Sequence, residues 1–290
     1  MKDDEIFAYL HRLGIEEKKP PSKEYLFELH KAHMEKISWQ TIDIFGGKQT
    51  TINERDSVQM IIQQRSGYCF HLNGAFYLLL RSLGFDVFIH CGGVQGRKSD
   101  PVIDSFHIGL SVDIDNNGEK EKWLVDVGLG DMPYEPIPLQ TGIYQQAGFS
   151  YFIKKSTVDH SGWRLESSHP GSYLGVDYAS KTTNSIDIFK MKHTFYSQSL
   201  DSPWRNLFLI QNRQANVCNE LRGCIFKQRD STNTLVTEIT HKEQWLEVLS
   251  NIFNEKLVAY SATEKEELWR KVKKIHEERK NLLKVQNKYT

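Results

Sequence analysis

The sequence has no excess charge of either sign and no long apolar run. Its 37 basic and 37 acidic residues balance, which argues against nucleic acid or an anionic membrane as a partner. The most apolar stretch, residues 74–94, is interrupted by Arg81, Asp86 and His90, so it predicts a buried helix and strand and no membrane span. The acidic start, Met1 to Glu5, lacks the apolar core of a signal peptide, and no secretion signal is expected.

Cysteine is also scarce. The chain of 290 residues has four cysteines, which are too few for a disulfide scaffold: Cys69, Cys91, Cys218 and Cys224. No N-x-[ST] glycosylation site occurs, and the predicted location is a reducing cytoplasm. Neither a C-x-x-C nor an H-E-x-x-H pattern is present, so no metal site is predicted.

What the sequence does have is aromatic residues and changes of apolar period. Its fifteen Phe, twelve Tyr and six Trp exclude a disordered chain. Up to Gly84 the apolar residues recur at helical spacing, with Ser22 as a candidate N-cap. A short extended piece is expected at residues 42–47. The first third is therefore predicted to be mainly helical.

After Gly84 the apolar residues alternate with a period of two. This pattern predicts strands that include Val87–Cys91, Phe106–Val112 and Trp123–Val127, with a hairpin turn at residues 115–118. The middle of the chain is therefore predicted to form an antiparallel sheet or barrel. The last third mixes strands and helices and ends in a long charged helix.

The candidate chemistry begins at Cys69, which opens a strongly apolar helix. The free N–H groups and the dipole of a helix N-terminus favour an anion there, and the thiolate is the nucleophilic form of cysteine. A cysteine nucleophile needs a base and a group that orients the base. His107 and Asp126 lie in two strands joined by the hairpin, so they can share one face. The pattern predicts a Cys-His-Asp triad.

The same residues have ordinary structural readings. A cysteine in an apolar helix is usually a small buried hydrophobe. His107 can be a polar-face strand residue, and Asp126 can begin a turn at Gly128 and Gly130. These glycines do not open a helix as in a dinucleotide fingerprint. They either bring backbone N–H groups to a phosphate or form a turn.

Several segments together resemble one enzyme family, the arylamine N-acetyltransferases. Residues 65–74, RSGYCFHLNG, resemble the family's R-G-G-x-C-x-x-x-N motif. Phe106-His107 resembles its histidine segment, and residues 124–130, LVDVGLG, resemble V-D-x-G-F-G. Residues 9–14 are similar to the opening helix, and Ser202-Pro203-Trp204 to the S-P-F segment. The order of these segments along the chain also agrees.

The resemblance implies an α+β fold in three parts. These are an N-terminal helical bundle (residues 1–85), a central antiparallel β-barrel (86–190) and a C-terminal α/β lid (191–290). It also implies a ping-pong reaction in which Cys69 takes an acetyl group from acetyl-CoA and passes it to an arylamine, arylhydrazine or N-hydroxyarylamine. The expected site residues are Cys69, His107 and Asp126 for catalysis, Ser105, Phe106 and Phe195 for substrate, and Gly128 and Gly130 for CoA.

Three positions depart from the family pattern. Gln40 stands where the family has the Glu that pairs with the motif arginine, here Arg65. Gln40 cannot neutralise a guanidinium, which predicts an altered field around Cys69. Ser66 replaces a glycine and is strained if that position has a positive φ. His71 adds a titratable group beside the nucleophile and is expected to be a surface or cleft residue.

Two alternative functions stay open from the sequence. One is a papain-like or transglutaminase-like hydrolase or acyltransferase that uses the same triad with another acyl donor. The other is a weakly active relative that binds CoA or aromatic ligands without turnover, which the departures at positions 38–41 and 66 favour.

Overall fold

The computed structural model describes residues 1–96, 101–104, 106–116, 118–168, 171 and 173–286, with side chains described to residue 282. Within these ranges, none of the helices combines the length and the apolar character that crossing a membrane requires. Ser105, one of the expected substrate residues, lies outside the described residues.

Helices dominate the first third of the chain and return near its end. The eight α-helices of the described residues are α1 (Asp3–Leu13), α2 (Lys23–Lys36), α3 (Ile42–Phe45), α4 (Glu54–Ile62), α5 (Cys69–Ser82), α6 (Lys190–Gln198), α7 (Lys242–Asn251) and α8 (Ala262–Gln286). The helix signals of the first third are confirmed. Ser22 accepts the N–H of Tyr25 at 3.1 Å as the N-cap of α2, and Gly84 follows α5 with a φ of +92°.

The expectation of an extended piece at residues 42–47 is wrong, because residues 42–45 form the short helix α3. The Gln40 side chain accepts the backbone N–H groups of Ile42 and Asp43 and so replaces a cap. At the other end, the N–H of Gly46 bonds the Ile42 carbonyl at 2.8 Å. An apolar run of four residues does not reveal such side-chain capping.

The middle of the chain forms an eight-stranded antiparallel sheet that curls into a nearly closed barrel. Its order is β5-β4-β3-β2-β9-β8-β7-β6. The strands are β2 (Asp86–Gln95), β3 (His107–Asn116), β4 (Glu119–Leu124), β5 (Ile137–Pro138), β6 (Gly142–Gln146), β7 (Phe149–Lys155), β8 (Trp163–Ser167) and β9 (Gly175–Thr183). The predicted α+β class with an antiparallel barrel is confirmed.

A five-stranded antiparallel sheet joins distant parts of the chain. Its strands follow the order β1 (Trp39–Gln40), β10 (Leu209–Arg213), β11 (Cys218–Arg222), β12 (Ile225–Arg229) and β13 (Thr234–Glu238). Strand β1 comes from the helical first third, and its Trp39 and Gln40 pair with Gln211 and Ile210. The predicted boundaries at residues 85 and 190 stay a prediction.

The buried apolar residues form two clusters. The larger lies among the N-terminal helices and the barrel. The smaller lies between the five-stranded sheet, α3, α7 and α8, with Trp245 at its centre. Trp245 is fully buried, with ring centroids 4.9 Å from Phe208 and 5.6 Å from Trp269. Its indole N–H donates to the Gly223 carbonyl at 3.2 Å.

Replacing Trp245 with alanine tests the second cluster. Because the change leaves a large cavity in a packed core, we expect the free energy of unfolding in urea to fall by about 3–5 kcal/mol. The control is Leu235→Ala on β13, where the side chain is 63% exposed and the expected change is within about 0.5 kcal/mol. Equal changes for the two variants would contradict the assignment of a core at Trp245.

Candidate active site

Cys69 is the first residue of α5, and Tyr68 is the N-cap. The residue is 4% exposed, and its Sγ lies 3.9 Å from the carbonyl oxygen of Phe106. Two residues before Cys69 the chain needs Gly67, because a Cβ there would lie 2.8 Å from the His71 side chain. The sequence thus delivers the thiol to the N-terminus of a buried helix, as predicted.

The expectation that His71 is a surface or cleft residue is wrong, because it is 2% exposed. Its Nδ1 accepts the Tyr68 backbone N–H at 3.4 Å, which is the reach-back bond of a capping box. Its Nε2 lies 3.1 Å from Thr50 Oγ1. Burial, aided by the charges of His193 and Arg65, lowers the pKa of His71 to about 3. His71 therefore stays neutral and holds the turn in shape.

The structure brings His107 and Asp126 together beside Cys69. His107 is the first residue of β3, and its Nε2 lies 2.6 Å from Asp126 Oδ2, with both side chains sealed from water. Burial acts to lower the pKa of His107, but the Asp126 carboxylate, with a smaller contribution from Cys69, raises it to about 10. The buried Nδ1 of His107 has no hydrogen bond of ordinary geometry, but Cys69 is close enough to the ring to contribute to its raised pKa.

The prediction that Asp126 lies in a strand is wrong, because β4 ends at Leu124. The Val125 N–H still bonds the Leu110 carbonyl at 2.9 Å, so the chain stays beside β3 and then turns. This turn lets backbone and side-chain donors converge on the carboxylate, which a continuous strand would not allow.

Three further donors hold Asp126. Tyr178 Oη and Asn73 Nδ2 donate at 2.7 Å each, and the Gly128 N–H donates at 2.8 Å. Burial acts to raise the pKa of Asp126, but His107 and the Asn73 and Tyr178 hydrogen bonds lower it below its ordinary value. The sequence predicted no role for Asn73, although this motif residue lies four residues after Cys69 on the same helix face. Nothing in the sequence pointed to Tyr178.

Gly128 and Gly130 are buried within this turn. A Cβ on Gly128 would lie 2.4 Å from Asn73 Nδ2, and one on Gly130 would lie 2.2 Å from Gln211 Cβ. The Gly128 N–H is already bonded to Asp126. These contacts give both glycines a packing role, and their assignment to CoA stays a prediction that no contact here favours.

Aromatic side chains line up next to Cys69. The ring of Phe106 lies 5.1 Å from that of Tyr196, which lies 5.1 Å from Phe195 and stacks on Trp204 at 4.4 Å. Burial raises the pKa of Tyr196 to about 12, with contributions from Asp104 and Cys69. Phe106 and Phe195 therefore belong to one aromatic cluster near the thiol. Tyr196 was missed because α6 was not predicted.

The departures before Cys69 have structural partners. Asp43 Oδ2 lies 3.2 Å from Arg65 Nη2, so the guanidinium has a carboxylate although Gln40 is neutral. Arg65 is thus charge-paired through position 43 and not through position 40, and the altered field around Cys69 stays a prediction. Ser66 does not have a positive φ, and its Oγ donates to Glu255 Oε2 at 2.9 Å. The expected strain at Ser66 is absent.

One group in the described part of the chain could present metal ligands: Glu238, His276 and Glu277. Glu238 Oε1 already accepts His276 Nε2 at 2.9 Å and Lys280 Nζ at 2.8 Å. An ammonium thus occupies the position beside this carboxylate, and the group reads as a surface ion-pair cluster.

Replacing Asp126 with asparagine tests the charge state of the pair. In the unchanged protein the raised pKa keeps His107 an imidazolium at pH 7. Asp126→Asn removes the carboxylate that raises the pKa of His107, while burial still lowers this pKa. We therefore expect a neutral His107 ring at pH 7 in the variant. NMR of ¹⁵N-labelled histidine measures both states.

His90 is the internal control for this measurement. Burial lowers its pKa to about 4, and it does not depend on Asp126, so its ring should be neutral in both proteins. A neutral His107 in the unchanged protein at pH 7, or an unchanged signal in the variant, would contradict the charge assignment.

Comparison with known proteins gives a consistent result. A family model described as N-acetyltransferase matches residues 23–261. The chain is 31% identical over 166 residues to "Arylamine N-acetyltransferase / N-hydroxyarylamine O-acetyltransferase" of Salmonella typhimurium, covering 57% of each chain. It is 29% identical over 143 residues to "Arylamine N-acetyltransferase" of Escherichia coli, covering 49% of each. The matched segments thus span about half the length of these relatives.

The fold has solved counterparts. The arylamine N-acetyltransferase of Salmonella typhimurium superposes with a TM-score of 0.79 at 21% identity, covering 92% of this chain and 98% of that one. The Mycobacterium marinum arylamine N-acetyltransferase, solved in complex with CoA, gives 0.81 at 20% identity, covering 93% and 99%. At this identity the likeness establishes the fold. Together with the family model, which matches most of the sequence, it leads to one conclusion: the chain belongs to the arylamine N-acetyltransferase family.

Proposed function

We propose that this protein transfers the acetyl group of acetyl-CoA to arylamines, arylhydrazines or N-hydroxyarylamines through an acetyl thioester on Cys69. The observation that carries the proposal is the buried pair of His107 and Asp126 beside a thiol at a helix N-terminus. An imidazolium next to the sulfur favours the thiolate, which is the nucleophile. Family membership supports acetyl-CoA as the donor and an arylamine as the acceptor.

In the first half of the reaction, the Cys69 thiolate attacks the carbonyl carbon of the donor thioester. A bond forms between Sγ and this carbon, and the carbon–sulfur bond to CoA breaks. The His107 imidazolium gives its proton to the departing CoA thiolate and becomes neutral. Backbone N–H groups at the start of α5 stabilise the oxyanion that forms in between.

In the second half, the acceptor nitrogen attacks the acetyl-Cys69 carbonyl. Neutral His107 takes a proton from the acceptor, the carbon–sulfur bond to Cys69 breaks, and the thiolate–imidazolium pair is restored. Asp126 keeps the ring in one orientation and stabilises its positive charge, a role supported by its 2.6 Å bond to Nε2. The carboxylate itself stays ionised throughout.

The acceptor would lie against the aromatic cluster of Phe106, Tyr196 and Phe195. A flat aromatic ring packs well against such side chains, and Phe195 is 41% exposed, which leaves a face for a ligand. Ser105 belongs to the same proposal through the resemblance alone. The placement of CoA at Gly128 and Gly130 also stays a prediction.

Of the alternatives, the weakly active relative that binds CoA or aromatic ligands loses support at two positions. It depended on the departures at positions 38–41 and 66, but Gln40 donates to Asp43 and Ser66 donates to Glu255, so both side chains are held by buried partners. A hydrolase that uses the same triad differs only in its donor and acceptor. The cytoplasmic location is a prediction supported by the four unpaired cysteines.

Incubation with acetyl-CoA in the absence of an acceptor tests the donor half-reaction. We expect one added acetyl group, located on Cys69 by intact mass and peptide mapping, and its loss when an arylamine such as aniline is added. Cys91→Ser is the matched control, because this half-buried thiol should be dispensable, whereas Cys69→Ser should take up no acetyl group. If iodoacetamide alkylates Cys69 readily but acetyl-CoA does not acetylate it, the protein is not an acetyltransferase.

Two other results of the same experiment point to the alternatives. A thioester on Cys69 that no arylamine discharges would favour a binding protein. A thioester that only water discharges would favour a hydrolase.

Replacing His107 with alanine tests the base. We expect a folded protein in which alkylation of Cys69 by iodoacetamide is about 10²-fold slower at pH 7, because the thiolate loses its counter-charge. The rate of the variant should rise with pH, because the solvent must then remove the proton that His107 no longer accepts. An alkylation rate and pH profile equal to those of the unchanged protein would show that His107 is not the partner.

A further inference from the structure

The residues that lead into the nucleophile are held from one side by the segment 40–43. The backbone N–H of Gln40 donates to the Gly67 carbonyl at 2.8 Å, and its Nε2 donates to the Ser66 carbonyl at 2.9 Å. Gln40 therefore holds two consecutive carbonyls of the turn that ends at Cys69. The residue is 4% exposed, so water does not compete for these bonds.

Among the described residues, the same segment provides the only carboxylate that forms an ion pair with Arg65. Asp43 Oδ2 lies 3.2 Å from Arg65 Nη2 and 3.3 Å from Gln40 Nε2. Its other oxygen, Oδ1, accepts the hydroxyl of Tyr260 at 3.0 Å. Asp43 is 8% exposed. One buried carboxylate thus links the nucleophile turn, Gln40 and the start of the C-terminal helical region.

We propose that Asp43 and Gln40 are positioning residues for Cys69, acting through Arg65 and the Ser66 carbonyl. Neither residue touches the reacting atoms in this arrangement. Asp43 supplies the charge that holds the guanidinium, and Gln40 supplies a neutral donor that holds the backbone. The inference depends on the proposed function only for what the positioned thiol does.

The Gln40 and Asp43 side chains are close enough for a charge to be moved from one position to the other. The end of the Gln40 side chain and the Asp43 carboxylate are within hydrogen-bond distance. A carboxylate at position 40 can therefore serve Arg65 when position 43 is neutral. With Asp43 present, the same change puts two carboxylates together and removes the donor to Ser66, which is unfavourable for both reasons.

The test is a charge exchange between the two positions, measured as the rate of Cys69 alkylation by iodoacetamide across pH 5–9. We expect Asp43→Asn and Gln40→Glu each to slow alkylation at pH 7 by about tenfold or more, because small shifts of a reacting group have large effects on rate. In Asp43→Asn/Gln40→Glu, the rate should return to within about threefold of the unchanged protein, since the charge is restored and only the Ser66 bond is lost.

The matched control is Glu166→Gln, which removes a half-buried carboxylate from its ion pairs with Lys154 and Arg164 in the barrel. It should leave alkylation of Cys69 unchanged. Asp43→Glu keeps the charge and serves if Asp43→Asn does not fold; we expect it to retain most of the rate. Any one of three results would overturn the proposal. The single variants could react like Glu166→Gln, the double variant could be as slow as the two single effects combined, or Asp43→Glu could be as slow as Gln40→Glu.

This experiment uses no acetyl-CoA, so its result is independent of the donor. A protein that alkylates as expected but takes up no acetyl group would retain the positioning role and lose the proposed function. A protein that acetylates Cys69 but shows no coupling between positions 40 and 43 would retain the proposed function and lose the positioning role.

Discussion

A histidine and an aspartate that are both removed from water, with nitrogen and oxygen 2.6 Å apart, set the conditions for the rest of the site. Burying two charges costs several kcal/mol for each ion unless the remaining polar atoms are also bonded. The chain meets this condition at Asp126 with donors from α5, from the turn after β4 and from β9. Three separate elements must therefore meet at one carboxylate, and the barrel and α5 are fixed relative to each other as a result.

The residues closest to this pair follow from the same constraint. Asn73 donates to Asp126 through Nδ2 and accepts the Val127 N–H through Oδ1 at 3.0 Å, so one side chain joins α5 to the turn. Gly128 has to be a glycine because Asn73 and His107 occupy the space of a Cβ. The residues that resemble the family motif in this region therefore meet a packing requirement around a buried anion.

Much of this arrangement was readable from the sequence, and the exceptions have physical reasons. Cys69 opens an apolar helix, and His107 and Asp126 alternate with apolar residues in predicted strands, which is why these three could be selected. Tyr178 could not be selected, because its position depends on the pairing of two strands far apart in the sequence, β2 and β9, which places it opposite Gly92. Asp43 could not, because residues 42–45 look extended until the Gln40 side chain is seen to cap them. His71 was misjudged because burial of a neutral histidine depends on partners that periodicity does not reveal.

The turn that leads into Cys69 is completed by residues from the far end of the chain. Strand β1, which carries Gln40, pairs with β10, and Glu255 and Tyr260 contact Ser66 and Asp43. The Ser66 and Asp43 contacts span 189 and 217 residues, and contacts of such long range form late because the loop between them must close first. On the ribosome, Cys69 emerges long before these partners exist. The thiol therefore gains its fixed setting only when the last third of the chain has docked, so incomplete chains carry the cysteine without the framework that positions it.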